Sequence, residues 1–304
     1  MIDKLEDVFI WTEAYNCGEL LTPFLSSYIK HNNLPIHVFG SAFDLNMAKL
    51  ESPLIKKVGL SNLNFRGRIN LENKILEGYK KGHKGTSVLW AYLIQSRKER
   101  FLMHIDADTI FLGDVVSFFF RDNQYSEFGL MGSRRPYKYR AYRKSGIDSF
   151  LLNRRPDTVN TDCFLFDKDL IPKSSSWLLE RKIRGRRTSF FPVVDFFDPI
   201  SFNILKYGGR IKYIDSPSQD KSGETNYNSD FFNRRINFAA VGSGINFYKN
   251  AKVEVPIGYR RFALASWSTY SKYVLGIDLG MELHDDPELI SKLQRLDKVN
   301  WRLQ

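Results

Sequence analysis

Cysteine is nearly absent from this sequence: Cys17 and Cys163 are the only two among 304 residues. They are too few and too far apart for a disulfide framework or a cysteine-based metal module, and a cytoplasmic, reducing compartment is the one this usage fits. Long apolar runs are missing too. The greasiest stretch, Phe101 to Phe120, is interrupted by Asp106, Asp108 and Asp114, so nothing reaches the ~20 apolar residues of a membrane-spanning helix. The opening Met1-Ile2-Asp3-Lys4-Leu5-Glu6-Asp7 is acidic and passes at once into a β-prone run, which fits neither a signal nor a transit peptide. Internal repeats, low-complexity tracts and linker-like composition are also lacking, so the expectation is one domain over residues 1–304.

What is present is an ordinary globular composition, 43% hydrophobic and 26% charged, which argues against disorder, a coiled coil or a collagen-like chain. The charge is less ordinary. Lys and Arg number 45 against 34 Asp and Glu, a net +11, and such an excess favours an anionic partner. Nucleic acid, an anionic membrane surface and a phosphorylated small molecule all qualify, and local motifs have to choose among them.

Asp7 to Thr12 is a β-prone run, Glu19 to His31 places Leu20, Leu21, Phe24, Leu25 and Tyr28 at helical spacing, and Pro35 to Gly40 reads as a second strand. This strand, helix, strand unit is the one from which parallel sheets are built. A polar, variable stretch follows from Ser41 to Gly85. Thr86 or Ser87 then caps a helix running to about Glu99, and Phe101 to Ile105 is a strand that ends on Asp106-Ala107-Asp108. Shorter strands at Phe128 to Gly132, Thr158 to Asp167, Arg210 to Ile214 and Phe238 to Val241 are expected to continue the same sheet. Asp286-Pro287-Glu288 opens a closing helix whose apolar stripe is Leu289, Ile290, Leu293, Leu296 and Val299. The expected fold class is α/β: a mixed, mainly parallel sheet flanked by helices, with a C-terminal helix.

Asp106 and Asp108 are the sharpest chemical feature. Two carboxylates spaced i, i+2 at the end of a buried strand can face one crevice, where they repel and are costly to desolvate unless a cation joins them. Oxygen-only donors favour Mg²⁺ or Mn²⁺ over zinc, and such an ion commonly bridges carboxylates to a diphosphate. The plainer alternative is a strand-end turn with Asp as a cap. Asp167-Lys168-Asp169 repeats the spacing, but its central lysine and the following Pro172 suggest an exposed turn.

The run Gly82-His83-Lys84-Gly85-Thr86-Ser87, the helix after it, and Phe101 to Phe111 together resemble the approach to the Asp-x-Asp motif in the GT-A fold, Rossmann-like glycosyltransferases, which use nucleotide sugars. Two further blocks agree. Val159 to Phe166 is similar to the strand that lines the donor sugar, and Asp195-Phe196-Phe197-Asp198-Pro199 looks like the acidic helix start that carries the base in inverting members. The resemblance covers most of residues 7 to 245 in the expected order. It implies transfer of a sugar from a nucleoside diphosphate sugar, UDP-sugar in the first instance, to a carbohydrate or other hydroxyl acceptor, with Mn²⁺ or Mg²⁺ as cofactor. It implies a nucleotide-binding half over 1–108, a donor-sugar and acceptor half over 109–284, and a closing helix over 285–304.

By the same resemblance, Asp108 ligates the metal, Asp106 shares it or holds the ribose, and Ala107 between them meets the nucleotide. Thr12 and Glu13 sit by the base, His83 and Lys84 contact phosphates, and Asn160 and Asp162 face the sugar. Asp198 is the acceptor base and Asp195 the second candidate. The plainer role for Asp198 is a helix N-cap before Pro199. The stretch that supplies a late metal-binding histidine in many members reads Phe238-Ala239-Ala240-Val241-Gly242-Ser243-Gly244 here, without one, which leaves His284 as a substitute from outside the motif.

Basic residues are interleaved with Tyr137, Tyr139 and Tyr142 from Arg134 to Lys144, and a second basic cluster runs from Arg181 to Arg187. These could stack bases or sugars, or form solvated loops. Two other function classes therefore stay open: a nucleotidyltransferase, which wants a third acid for a second metal, and a basic module binding nucleic acid or an anionic membrane surface. The transferase is the leading expectation, with no nucleic-acid partner and with peripheral membrane contact left open.

Overall fold

Strands and helices form where the apolar periodicity changes from two to about 3.6, and that alternation builds the molecule. The computed structural model describes residues 7–14, 17–65, 67, 69–73, 85–107, 109–111, 114–120, 127–135, 158–172, 187–188, 191–192, 198–214, 238–240, 272 and 276–277. Strand β1 (Val8–Ala14) leads through a short 3₁₀ turn (Gly18–Leu20) into α1 (Leu21–His31), and β2 (Ile36–Gly40) into α2 (Ala42–Met47). The first strand thus runs two residues beyond Thr12. β3 (Ile55–Gly59), β4 (Asn64–Phe65) and β5 (Ile69–Asn70) occupy part of what reads in the sequence as a polar, variable stretch. The adjacent Lys56 and Lys57 hide β3 from a hydropathy pattern.

Helix α3 (Gly85–Ser96) precedes β6 (Phe101–Ile105), which is buried at every residue. Thr86 and Ser87 lie inside the first turn of α3 rather than capping it, and the helix stops at Ser96 instead of Glu99, where Arg97 and Glu99 pair with each other. β7 (Thr109–Phe111), α4 (Val115–Phe120), β8 (Leu130–Arg135), β9 (Thr158–Asp167), β10 (Arg187–Thr188), β11 (Phe191–Pro192), α5 (Asp198–Lys206), β12 (Ile211–Ile214) and β13 (Phe238–Ala240) complete the elements.

Seven strands form one sheet in the order β12-β8-β9-β6-β1-β2-β3. β1 and β2 are parallel, from Trp11 opposite His37 to Ala14 opposite Gly40, and β12 and β8 are parallel. β8 and β9 are antiparallel, with an irregularity between Gly132 and Arg134. The sheet is mixed and mostly parallel with flanking helices, the α/β class expected. One strand departs from the expectation: β13 does not extend this sheet but pairs antiparallel with β7, Ala240 opposite Thr109 and Phe238 opposite Phe111. A strand's pattern encodes which face is buried, not which neighbour completes its ladder.

The chain divides into two compact units that alternate along the sequence. The first comprises Met1–Ile10, Gly59–His104 and Asn123–Ile214. Its core packs the rings of Trp90, His104 and Phe164 at a tilt, with centroids 5.0 to 5.2 Å apart. α5 ends in a Schellman turn: Gly208 takes φ +86°, Gly209 N–H donates to Ile204 O and Gly208 N–H to Leu205 O. Gly129 lets this turn close on the sheet, since a Cβ there would lie 2.6 Å from Ile204 Cγ2 and 2.5 Å from Leu170 Cδ1.

The second unit comprises Trp11–Val58, Ile105–Asp122 and Asp215–Gln304. Here α1 packs Phe24 and Tyr28 on Phe111, with ring centroids 5.6 and 5.1 Å away. Among the described residues no helix is long and apolar enough to cross a membrane.

In the first unit, Arg97 bridges an aromatic face and a carboxylate. Its guanidinium lies 4.0 Å from the centre of the Phe9 ring, and its Nε donates to Glu99 at 3.0 Å. Burial pushes the Glu99 carboxyl up, but the Arg97 hydrogen bond, a backbone hydrogen bond and the charges of Arg97 and Lys98 outweigh it and hold the group below the usual carboxylate range. Because the folded-state value is the lower one, the stabilisation is present above the unfolded carboxylate range and is lost as pH falls through the lowered value. Arg97→Leu removes the cation and leaves only a backbone hydrogen bond and the Lys98 charge to oppose burial at Glu99. We expect the stability deficit of that variant to be largest at pH 7 and to shrink on titration below the ordinary Glu pKa of about 4.3, as measured by urea unfolding. A deficit independent of pH would mean that only the packing on Phe9 matters.

Candidate functional site

β6 delivers the chain from a fully buried strand into a four-residue turn. Asp106 follows directly on Ile105, and Thr109 N–H donates to Asp106 O at 3.2 Å, closing the turn across Ala107 and Asp108. Asp106 is half-buried and Ala107 is buried. The next residue, Asp108, lies outside the described residues. Thr109 is fully buried, and its Oγ1 has no hydrogen-bond partner among the described residues. A buried hydroxyl of this kind commonly marks a position where water or an ion completes the polar contacts. The turn is flanked by the β7–β13 ladder, in which Ala240 lies opposite Thr109.

Helix α1 fixes the downstream side of this turn. Ser27 Oγ donates to Phe24 O at 2.9 Å and accepts Phe111 N–H at 3.1 Å. Asn32 donates from Nδ2 to Tyr28 O, and its Oδ1 accepts Val116 N–H at 3.1 Å, so one side chain closes α1 and serves the first turn of α4. Both residues are buried. Neither stands out in sequence, because a serine and an asparagine in and after a helix are ordinary.

At the carboxyl end of β1, Thr12 is fully buried with its Oγ1 also lacking a hydrogen-bond partner among the described residues, and half-buried Glu13 accepts the Trp11 indole N–H at 3.0 Å. β1 and β2 are parallel and end in register, so their following connections leave the same edge of the sheet. Open parallel sheets bind ligands at that edge. Asp44, in the first turn of α2, is a residue that the sequence reading passed over: it is buried and holds the connection after β1.

The other expected site residues are less fully placed. Asn160 and Asp162 lie within β9, and Asp198 is the first residue of α5 with Pro199 next. His83, Lys84, Asp108, Asp195 and His284 fall outside the described residues, as do the closing helix over 285–304 and all of the two basic clusters except Arg134, Arg135 and Arg187. Among the described residues no three His, Cys, Asp or Glu side chains converge as a metal site.

The second Asp-x-Asp has a structural task. Asp167 is buried, contrary to the exposed turn expected for it, and accepts Arg100 Nε and Nη2 at 2.9 and 2.7 Å on Oδ2 and Asp169 N–H at 3.0 Å on Oδ1. The hydrogen bond to Asp167 raises the Arg100 pKa above its ordinary value, and burial only partly opposes this. Only Asp169 faces solvent. Asp167→Ala is therefore expected to lower unfolding stability by about 1–3 kcal/mol, the scale of lost hydrogen bonds to a buried charged group, and to leave the affinity for UDP measured with Mn²⁺ at its wild-type value. Urea titration paired with calorimetry separates the two effects.

No family model and no curated protein matches the chain. Among solved structures it is similar to the bifunctional glycosyltransferase WbbM in its apo form, at 12% identity over 77% of this chain and 45% of that one, with a TM-score of 0.47. It is similar also to mouse xyloside xylosyltransferase 1 in its apo form, at 12% identity over 77% and 97% of the two chains, with a TM-score of 0.45. A third is the glycosyltransferase GlyE of Streptococcus pneumoniae TIGR4, at 10% identity over 96% and 60%, with a TM-score of 0.40. The chain thus spans less than half the length of the first.

Proposed function

We propose that this chain is a glycosyltransferase that moves a sugar from a nucleoside diphosphate sugar, UDP-sugar in the first instance, to an acceptor hydroxyl with the help of Mn²⁺ or Mg²⁺. The observation that carries the reading is the exit of β6. A strand without an exposed residue ends on a half-buried carboxylate in a closed turn, with a second carboxylate two positions on and a buried hydroxyl at Thr109 that has no partner among the described residues. The donor set is oxygen only, which suits a hard divalent cation.

In this reading Asp106 and Asp108 would hold the cation. When bound, it supplies positive charge where the departing diphosphate becomes negative. Thr12 and Glu13, in the last residues of β1, face the nucleoside end of the donor. Asn160 and Asp162 on β9 orient the sugar by hydrogen bonds to its hydroxyls. The acceptor oxygen attacks the anomeric carbon, the bond from that carbon to the diphosphate oxygen breaks, and the acceptor proton passes to a carboxylate. Asp198 suits that last role because the free N–H groups and dipole at a helix start favour an ionised side chain there.

The test is calorimetry of UDP and UDP-sugars with Mn²⁺, with Mg²⁺ and with chelator. We expect binding only with metal, and loss of the metal dependence in Asp108→Asn. Equal UDP affinity in chelator and in Mn²⁺ would overturn the reading. Asp198→Asn is expected to leave this binding intact while lowering transfer by ~10² or more, the usual scale for a lost general base. Full residual transfer with reduced folding stability would restrict Asp198 to capping α5.

A further inference from the structure

We infer that Asp44 is a positioning residue that holds Cys17 and Gly18, the lead-in to α1, for a ligand at the carboxyl edge of the sheet. Its identity as a ligand-edge residue rests on the donor reading above; its grip on the connection rests on geometry alone.

Ser41 and Asp44 begin as a helix start should. Ser41 is the N-cap of α2, and its Oγ accepts Asp44 N–H at 3.1 Å. In an ordinary capping box the acidic side chain three residues on reaches back to its own helix start. Here the carboxylate also reaches across to another connection. Oδ1 accepts Cys17 N–H at 3.0 Å and Gly18 N–H at 2.9 Å, while Ser41 Oγ donates to Oδ2 at 2.8 Å. Asp44 is only 3% exposed. Burying a carboxylate is costly unless hydrogen bonds offset it, and two backbone donors on one oxygen are a strong form of compensation.

The fit is backbone to backbone. A Cβ on Gly18 would lie 2.6 Å from Asp44 O and 2.7 Å from Asp44 Cα, so no other residue type fits there without moving one connection off the other. Cys17 and Gly18 follow the strand that bears Thr12 and Glu13, and they lead into the helix whose Ser27 and Asn32 hold the segment after Asp106. A shift at Asp44 therefore reaches the lead-in to α1 directly. The acceptor oxygen of Asp44 is placed to hold Cys17 and Gly18 against the start of α2 before a ligand arrives, which lowers the ordering cost of binding.

The chain carries its own reporter. Cys17 and Cys163 are both thiols, Cys163 is 1% exposed, and Cys17 is partly exposed beside the Asp44 carboxylate. The experiment measures the iodoacetamide alkylation rate of Cys17 by mass spectrometry, and UDP binding with Mn²⁺ by calorimetry, in the wild type, Asp44→Ala and Asp44→Asn. Expected is about a ten-fold faster alkylation and a ten-fold weaker UDP affinity in Asp44→Ala, the scale of one lost charge-assisted hydrogen bond. Asp44→Asn keeps an oxygen for both N–H donors and should recover most of both effects, which a merely destabilising substitution would not. If Asp44→Ala does not fold, Ser41→Ala takes its place, with a smaller change in the same direction.

Alkylation at the wild-type rate in Asp44→Ala overturns the clamp. Fast alkylation with undiminished UDP affinity overturns the positioning role. Absence of nucleotide binding in the wild-type chain overturns the donor reading, and the alkylation rates then decide the clamp by themselves.

Discussion

A backbone N–H taken out of water must find an acceptor, and around the candidate site that demand is met by side chains of or near one helix. Phe111 at the end of β7 and Val116 at the start of α4 donate to Ser27 and Asn32 of the α1 region, while the lead-in to α1 donates to Asp44. Each of the three acceptors is buried. Each such bond contributes about 0.5–1.5 kcal/mol net, but a lost partner costs about 1–3 kcal/mol, so their chief effect is to forbid other arrangements. The apolar contacts of Phe24, Tyr28 and Phe111 supply the affinity between α1 and β7, and the polar ones fix the register. The Asp106 turn inherits its position from that register.

The two Asp-x-Asp motifs show how spacing and surroundings divide the argument. Both follow a strand end. Asp167 lies beside Arg100, and its carboxylate is consumed by a guanidinium and a backbone N–H within the first unit. Asp106 sits after the all-buried β6 and ahead of a buried threonine hydroxyl without a partner among the described residues. An arginine 67 residues upstream decides the role of Asp167, and no local pattern announces it.

That contrast also marks what the sequence could disclose. β1, α1, β2 and β6 were legible because an apolar stripe or run is a local signal, and the residues expected to face inward, Leu20, Leu21, Phe24, Leu25 and Tyr28, are all buried. The position of Asp106 at a strand exit was legible for the same reason. β3 was not, because Lys56 and Lys57 mask a sheet-edge strand. The separate β7–β13 ladder was not, because pairing is a long-range choice. Asp44 could have been noticed through Ser41-x-x-Asp44, which announces a helix start, yet the acceptor role toward Cys17 and Gly18 depends on a contact 26 residues away that only folding creates.

The β7–β13 ladder has a consequence for how the protein is made. Phe111 and Phe238 are partners across more than a hundred residues of chain, so the ladder that borders the Asp-x-Asp turn is among the most non-local pairings in the molecule. Non-local pairings form late, because loop closure must be met before any contact rewards it. At ordinary elongation rates of about 5–20 residues per second, Thr109 to Phe111 leave the ribosome on the order of ten seconds before their partner strand exists. During that interval α1, already complete, is what shelters Phe111, and the nascent chain carries the Asp106 turn beside an open strand edge.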